Sequence, residues 1–463
     1  MAAVSGSVIF AEKALLPDGW ADNVSVAFGP DGRISSVVAD APEKSDAATQ
    51  RAAILLPAPV NLHSHAFQRA MAGMSERRGS EPRDSFWTWR QIMFRFLDAL
   101  TPDDIEAIAA FVQMEMLESG YAAIGEFHYL HHQPGGAPYD SLAELSDRIM
   151  AASLQTGIGL THLPVFYEFG GCDRRPLAPG QIRFGNDFDR FSKLHELAAR
   201  SLKSLPDDAV LGVAPHSLRA VDEQGLANAV TLAGGNPLHM HLAEQIPEVE
   251  EVVAARGRRP VEWLLANHDV SDTWCLIHCT QMTPEETTAL AATGAVVGLC
   301  PITESSLGDG IFDGVRYLEA GGRFGVGSDS NIRISLSEEL RTLEYSQRLR
   351  DTCRASVATK DRSTGRVLFD GVAAGGAQAA GRASGAIREG LHADLLALDG
   401  EAIDLEGRQG DEILDAWIFA GDDRMVADVW SAGRHLVRGG THVDAASIRA
   451  RYRATMKSLR DRV

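Results

Sequence analysis

Through the middle of the chain short apolar runs alternate with long stretches of helical periodicity, and each run stops abruptly at a polar or histidine-bearing segment. Eight such runs are present, ending at His63-Ser-His65, Glu126-Phe-His-Tyr129, Pro164-Val-Phe-Tyr167, His216-Ser-Leu-Arg219, His239-Met-His241, His278-Cys-Thr, Pro301-Ile-Thr-Glu304 and Ser328-Asp329-Ser330. A short apolar run bounded by polar residues reads as a buried strand, and the periodic stretch after it as a helix laid on that strand. Eight strand-then-helix units are what a TIM barrel requires, and their span of roughly 270 residues suits its usual size of about 250. The predicted fold class is therefore α/β, with a (β/α)8 TIM barrel over 57–380. In that architecture polar residues at the C-terminal strand ends face a common site, so the pattern locates the chemistry before any motif is read.

The two ends of the chain carry a different pattern. Ser7-Val-Ile-Phe10, Val24-Ser-Val-Ala-Phe28 and Arg33-Ile-Ser-Ser-Val-Val38 read as short strands around a Pro30-Asp31-Gly32 turn. Ala393-Asp-Leu-Leu-Ala-Leu398, Val426-Ala-Asp-Val-Trp430 and Arg434-His-Leu-Val-Arg438 do the same near the other end. Both ends are expected to share one small flanking sheet domain, a β-sandwich with 1–56 as its N-terminal part and 381–444 as its C-terminal part. From Ala445 onward Arg and Ala recur at helical spacing and predict a terminal helix over 445–463.

Composition narrows the class without changing this picture. Of 463 residues, 45% are hydrophobic and 23% charged, ordinary for a globular protein. No apolar run approaches the ~20 residues that span a bilayer, and the Met1-Ala-Ala-Val start lacks the basic, apolar profile of a secretory signal, so a cytoplasmic protein is expected. The five cysteines, Cys172, Cys275, Cys279, Cys300 and Cys353, are odd in number and form no C-x-x-C pair, which argues for reduced and mostly buried thiols. A net charge of -19 repels nucleic acid and anionic membranes. The expected partner is a small molecule, and an anionic one would need locally placed arginines.

The strand ends supply the candidate chemistry. His63 and His65, two apart on the first strand, share one face and can reach a single ion. The fifth strand contributes His241, with Glu244 three residues on, while His239 is expected to pack; the sixth ends in His278 and the eighth in Asp329. His63, His65, His241 and Asp329 are the expected metal ligands. Nitrogen and oxygen donors suit Zn²⁺, and Fe²⁺ or Mn²⁺ are compatible. Such a set leaves room for water, which a dication turns into a nucleophile near neutral pH. Asp329 would hold that water's proton, His278 would orient or deprotonate it, and Glu244 would carry a proton to a leaving nitrogen. Which of Asp329 and His278 is the general base stays open. Two-metal hydrolases of this architecture often bridge their ions with a modified lysine on the fourth strand; Leu211-Gly-Val-Ala-Pro-His-Ser-Leu-Arg219 contains none, so one metal is expected.

The H-x-H, the H-x-x-E, the later histidine, the Ser-Asp pair and the closing Gly390-Leu-His-Ala-Asp-Leu-Leu-Ala-Leu-Asp399 fall in the order that resembles the amidohydrolase superfamily, over nearly the whole chain. Within it, Asn61-Leu-His-Ser-His-Ala-Phe-Gln-Arg-Ala-Met-Ala-Gly73, Asp84-Ser-Phe-Trp-Thr-Trp-Arg90, Glu126-Phe-His-Tyr-Leu-His-His132 and His216-Ser-Leu-Arg-Ala-Val221 are most similar to the formimidoylglutamate deiminase family. That resemblance implies a barrel with a small β-sandwich, one Zn²⁺ per chain and a homodimer. It also implies hydrolysis of N-formimino-L-glutamate to N-formyl-L-glutamate and ammonia, a step of histidine degradation. It assigns substrate carboxylates to Arg90 and Arg219 and the pocket lining to Gln68, Tyr129 and His216. Guanidinium groups suit a dicarboxylate because they form paired, charge-assisted hydrogen bonds. Trp87 and Trp89 are expected to pack rather than touch substrate.

Two segments depart from the family pattern. Ser330-Asn331-Ile332-Arg333 stands where a histidine would follow Ser-Asp-Ser, and Asn331 and Arg333 are expected to alter the pocket wall. Cys300-Pro-Ile-Thr-Glu304 replaces the Cys-Pro-x-Ser-Asn of many ring deaminases, and Glu304 is expected to suit a cationic formimino head. The insert Gly170-Gly-Cys-Asp-Arg-Arg175 is a candidate cover for the pocket. Two rival readings remain at the level of sequence: another mononuclear-metal aminohydrolase acting on a guanidino or heterocyclic amine, and a non-catalytic structural paralogue. The second would be expected to have lost ligands, and every one is present.

Overall fold

A computed structural model describes residues 7–42, 49–76 and 86–462. The Met1-Ala-Ala-Val start, Asp84 and Ser85, and the side chain of Trp87 lie outside the described residues. Four strands open the chain, β1 (Ser7–Leu16), β2 (Gly19–Phe28), β3 (Ile34–Val38) and β4 (Thr49–Pro57). Then come β5 (Val60–Ser64), β6 (Ala123–His128), β7 (Gly159–Phe166), β8 (Val210–Leu211), β9 (Ala214–Pro215), β10 (Leu238–Leu242), β11 (Trp274–His278), β12 (Val296–Leu299) and β13 (Arg323–Val326). The chain returns through β14 (Leu395–Leu398), β15 (Val426–Ser431), β16 (Arg434–Arg438) and β17 (Thr441–His442), and ends in a helix, Ala445–Arg460.

The strands from β5 to β13 make the barrel, with β8 and β9 as two pieces of its fourth strand. β5–β8 pair in parallel, β9 pairs with β7, and β10–β13 form a second parallel set. Parallel bridges Val213–Leu238 and Ser64–Asp329 join the two sets. At the second seam the Asp329 amide donates to His63 O at 2.9 Å and the His65 amide to Asp329 O at 3.0 Å. Closure there depends on Gly327, where a Cβ would lie 2.6 Å from His63 O and 2.7 Å from its backbone nitrogen. Only a residue without a side chain lets the last strand come this close to the first. β6, β7, β10 and β11 are buried throughout, as strands covered on both faces must be.

Helix starts follow their sequence signals. Thr101 and Asp104 form a reciprocal capping box ahead of Pro102–Glu118, and Thr283 with Glu286 does so for Pro284–Ala291. At the seventh run β12 stops at Leu299, and the polar segment after it, Pro301–Leu307, is a short helix with proline in its first turn. Proline there lacks only an amide that a helix start leaves unbonded anyway.

Both chain ends share one continuous eight-stranded sheet, ordered β17-β16-β15-β14-β4-β1-β2-β3. Alternation along β14 sends Leu396 and Leu398 toward the barrel core and Leu395 and Ala397 into a second core with Ile9, Val24, Val26 and Trp430. That second core draws almost wholly on the sheet's own strands, so the sheet folds over itself, and the sandwich character comes from one sheet rather than two separate ones. At its junction with the barrel, the buried Arg382 guanidinium donates to Asp394 at 2.6 and 2.9 Å and to Asp208 at 2.8 Å. Arg434 completes the cluster on Asp208 at 2.7 and 2.9 Å.

The terminal helix lies on Pro102–Glu118, with Tyr452 stacked on Phe111 at 3.9 Å and Arg449 paired with Glu118 at 2.8 Å. Among the described residues no helix is long and apolar enough to cross a membrane. All five cysteines are free; Cys275, Cys279 and Cys300 are buried and Cys353 is exposed.

Candidate active site

Strand ends converge on one point at the C-terminal mouth of the barrel. His63 Nε2 lies 3.1 Å from His241 Nε2, and Asp329 Oδ1 lies 3.1 Å from His65 Nε2 and 3.5 Å from His63 Nε2. These groups are buried. His278 Nε2 stands 3.9 Å from Asp329 Oδ2 and 3.8 Å from Glu244 Oε1. The backbone is strained where it delivers them: Ala243, His278, Cys279 and Asp329 have φ of 52°, 72°, 52° and 45°, a left-handed region that costs non-glycine residues energy.

The outer nitrogens of the imidazoles reveal what the inner ones do. His65 Nδ1 is 3.0 Å from Phe127 O and His241 Nδ1 3.2 Å from His216 O. A carbonyl only accepts, so Nδ1 carries the proton in both rings and Nε2 turns a bare lone pair inward. Burial pushes His63 down to about 3, against its hydrogen bond with Asp329, and burial lowers His241 as well. Neutral rings bring lone pairs up against a carboxylate, and such a donor set fits a divalent cation, with the His65 and His241 tautomers already set for it.

On the far side of His278 lies a third carboxylate. Glu304 Oε1 is 3.2 Å from His278 Nδ1 and accepts the Cys300 amide at 2.8 Å. Burial alone would lower the His278 imidazole, but Glu244, the hydrogen bond with Glu304 and Asp329 outweigh it and raise it well above the usual range. Burial raises Glu244, partly offset by His278. Glu248 holds the backbone here, accepting the amides of Ala243 at 3.1 Å and Glu244 at 3.0 Å.

A cleft of about 510 Å³ opens over these groups. Gln68, Arg90, Tyr129, His216 and Arg219, the five residues expected to bind substrate, all line it, together with Glu244, His278, Asp329, His65 and His241. His63 is buried beneath. Tyr129 Oη is 3.1 Å from His216 Nε2, and His216 Nδ1 is 2.8 Å from Ser217 Oγ. The buried Arg219 guanidinium is disfavoured by burial, yet Glu248, Tyr167 and Glu244 together hold it charged. Arg90 lies over the Phe94 ring at 5.2 Å and donates to Tyr167 Oη at 3.1 Å. The cleft is thus polarised, with carboxylates and imidazoles at the floor and two guanidiniums along the wall.

Several expectations are corrected by the packing. Trp89 packs against the core as expected but also lines the cleft. Glu304 lies behind His278 and does not line the cleft, because its carboxylate is taken up by Cys300 and His278. Asn331 is buried and braces the barrel seam, donating to Ser64 Oγ and His65 O at 3.1 Å each and accepting from Ser328 Oγ at 2.6 Å. Its φ of 54° is one that asparagine tolerates well. Arg333 points to solvent and pairs with Glu338. The insert at 170–175 does not line the cleft; Arg174 and Arg175 pair outward with Asp222 and Glu251. His239 packs as expected, against Ala379 O at 2.7 Å.

Met93, Tyr167, Phe184 and Leu307 also line the cleft and were missed from sequence. Met93 follows Arg90 by one helical turn and Tyr167 ends the third apolar run, so both had a signal; Phe184 sits in a loop and had none.

The family model described as "Amidohydrolase family" matches residues 54–436, and one described as "Formimidoylglutamate deiminase HutF, N-terminal domain" matches residues 6–51. The chain is 48% identical over 440 residues to the formimidoylglutamate deiminase of Pseudomonas aeruginosa, covering 94% of this chain and 96% of that one. Among solved structures, an amidohydrolase from Brucella melitensis is 45% identical with a TM-score of 0.93, covering 98% of this chain and 99% of that one. An adenosine deaminase from Xanthomonas campestris with bound zinc shares the fold at 21% identity and a TM-score of 0.82, covering 99% of each chain.

Proposed function

The chain belongs to the amidohydrolase family and, within it, to the formimidoylglutamate deiminases; from that premise we propose that it hydrolyses N-formimino-L-glutamate to N-formyl-L-glutamate and ammonia with one zinc ion. The observation that carries this reading is the polarity of the cleft. One end gathers His63, His65 and His241 around a point fit for a cation, with the Asp329 carboxylate 3.5 and 3.1 Å from the first two, and the other presents Arg90 and Arg219 to an anion. A dicarboxylate with an amidine head has this same polarity.

His63, His65, His241 and Asp329 would hold the ion, which when bound supplies Lewis acidity that makes water nucleophilic near neutral pH. Arg90 and Arg219 take the carboxylates, with Gln68, Tyr129 and His216 flanking the chain between them and the amidine. Held so, the amidine carbon faces the floor of the cleft. Water adds across the C=N bond of that carbon, and as the adduct collapses the bond to the terminal nitrogen breaks and the oxygen, having given up both its protons, stays as the formyl carbonyl. Both protons reach that nitrogen by way of the Asp329–His278 pair and Glu244. Glu244, whose carboxyl burial raises, is the group that passes a proton to the departing nitrogen so that it leaves as ammonia. Glu304 keeps the proton on His278 Nδ1, leaving Nε2 turned to Asp329 and Glu244.

Ammonia release from N-formimino-L-glutamate by zinc-loaded protein tests this, with metal content measured alongside. Turnover that disappears on chelation and returns with zinc is the expected result. A fully metallated protein that releases no ammonia from this substrate would overturn it.

A further inference from the structure

Arg90 reaches the cleft from the helix Phe86–Ala99 and needs more than that helix to hold it in place. Its guanidinium lies over Phe94, and its Nη2 donates to Tyr167 Oη at 3.1 Å. The same phenolic oxygen accepts Gln181 Nε2 at 2.7 Å. Gln181 is buried, and its Oε1 accepts the Ala178 amide at 2.8 Å, which settles which way the carboxamide faces. Gly180 beside it lies against Phe94, where a Cβ would come 2.2 Å from the ring, so this loop seats directly on the helix that carries Arg90. Tyr167 comes from the end of β7 and lines the cleft beside Arg219.

The structure assigns Tyr167 as a third donor at the carboxylate end of the cleft, aligned by Gln181 as a positioning residue. The hydroxyl accepts from Arg90 on one side and Gln181 on the other, so its own hydrogen is the one left to donate. That hydrogen can turn into the cleft, between two guanidiniums, where an anionic oxygen would sit. Each guanidinium aligns a carboxylate in its own plane, and a neutral donor fixed between the two adds a contact that sets which oxygen faces which. Gln181 touches no substrate and acts only through the phenol. This inference rests on the proposed dicarboxylate substrate.

The test uses Tyr167→Phe, Gln181→Leu and the double variant in the full-length zinc protein. KM for N-formimino-L-glutamate and binding of glutarate by calorimetry are read together with kcat, zinc content and Tm. For Tyr167→Phe, KM and the glutarate Kd should each rise about tenfold or more, the loss expected for one hydrogen bond to a charged group, with a far smaller fall in kcat. Gln181→Leu should move the same quantities in the same direction and add nothing in the Tyr167→Phe background, because it acts through that hydroxyl. A KM and glutarate Kd within twofold of wild type in Tyr167→Phe, or a Gln181→Leu effect that adds fully to it, would overturn the assignment. Wild-type protein that binds glutarate through Tyr167 yet releases no ammonia would sink the proposed reaction and leave this inference standing.

Discussion

Glu244, His278 and Glu304 form a line of three ionisable side chains in which the outer two face opposite nitrogens of the middle one, at 3.8 and 3.2 Å. Substituting each probes a different part of the proposed step. Glu244→Gln keeps the shape but removes the proton carrier, and kcat should fall by about 10²–10⁴ with zinc content unchanged. Glu304→Gln preserves an acceptor for the Cys300 amide but weakens the hold on His278 Nδ1. A smaller fall in kcat, about 10- to 100-fold, should follow with little change in KM, the range seen when an outer partner of a site histidine is lost. Steady-state ammonia release separates the two cases; equal losses from both would contradict the division of roles. On the wall, Arg90→Ala should act mainly on KM, since it removes binding common to ground and transition states.

At the level of elements, the seam between the last and first barrel strands brings Asp329 beside His63 and His65. Gly327→Ala would force a methyl against the His63 backbone, 2.6 Å from its oxygen, and no flexible side chain there can give way. The expected outcome is a loss of about 1–3 kcal/mol by denaturant melt, accompanied by reduced zinc stoichiometry as the ligands move apart. A stable variant with a full complement of zinc would mean that the seam tolerates more slack than its packing indicates. Asn331 works on this same seam from inside the protein, which is why a departure from family pattern at this position affects strand closure instead of the cleft wall.

For the molecule as a whole, the Arg382 cluster ties the barrel to the sheet built from both chain ends. Replacing this guanidinium with methionine would strand Asp394 in a buried setting and leave Asp208 to Arg434 alone, and a loss of about 3–5 kcal/mol is expected, read as a large drop in Tm. Burial opposes ionisation of both carboxyls, but Arg434 and Arg382 hold Asp208, and Arg382 holds Asp394, below the ordinary value of 3.8. A carboxyl depressed in the folded state stabilises above its unfolded pKa and loses that contribution as pH falls through the folded value. Wild-type Tm should therefore hold above about pH 4 and fall on further acidification. Asp394→Asn should start from a lower Tm and show a shallower acid limb; an unchanged limb would remove the cluster from the account of acid stability.

What the sequence alone determined was the barrel, the sheet from both ends and which polar residues end the barrel strands; the ligand and arginine roles read from them belong to the proposed reaction. Period-two alternation and abrupt polar strand ends are local signals, and the barrel's geometry converts each strand end into a site position. His63 and His65 share a face because of their spacing, and Asp329 and His241 face them because every strand of a closed parallel barrel ends at the same mouth. Only the tertiary structure decided where Glu304, Asn331, Trp89 and the Gln181–Tyr167 pair act. Each of these depends on a partner brought near by folding: Glu304 on His278, Asn331 on Ser64 and His65, and Arg90 on Tyr167 across 77 residues of chain. A side chain's direction in a loop or a first helical turn is set by what packs against it, and that information is distributed over the whole fold.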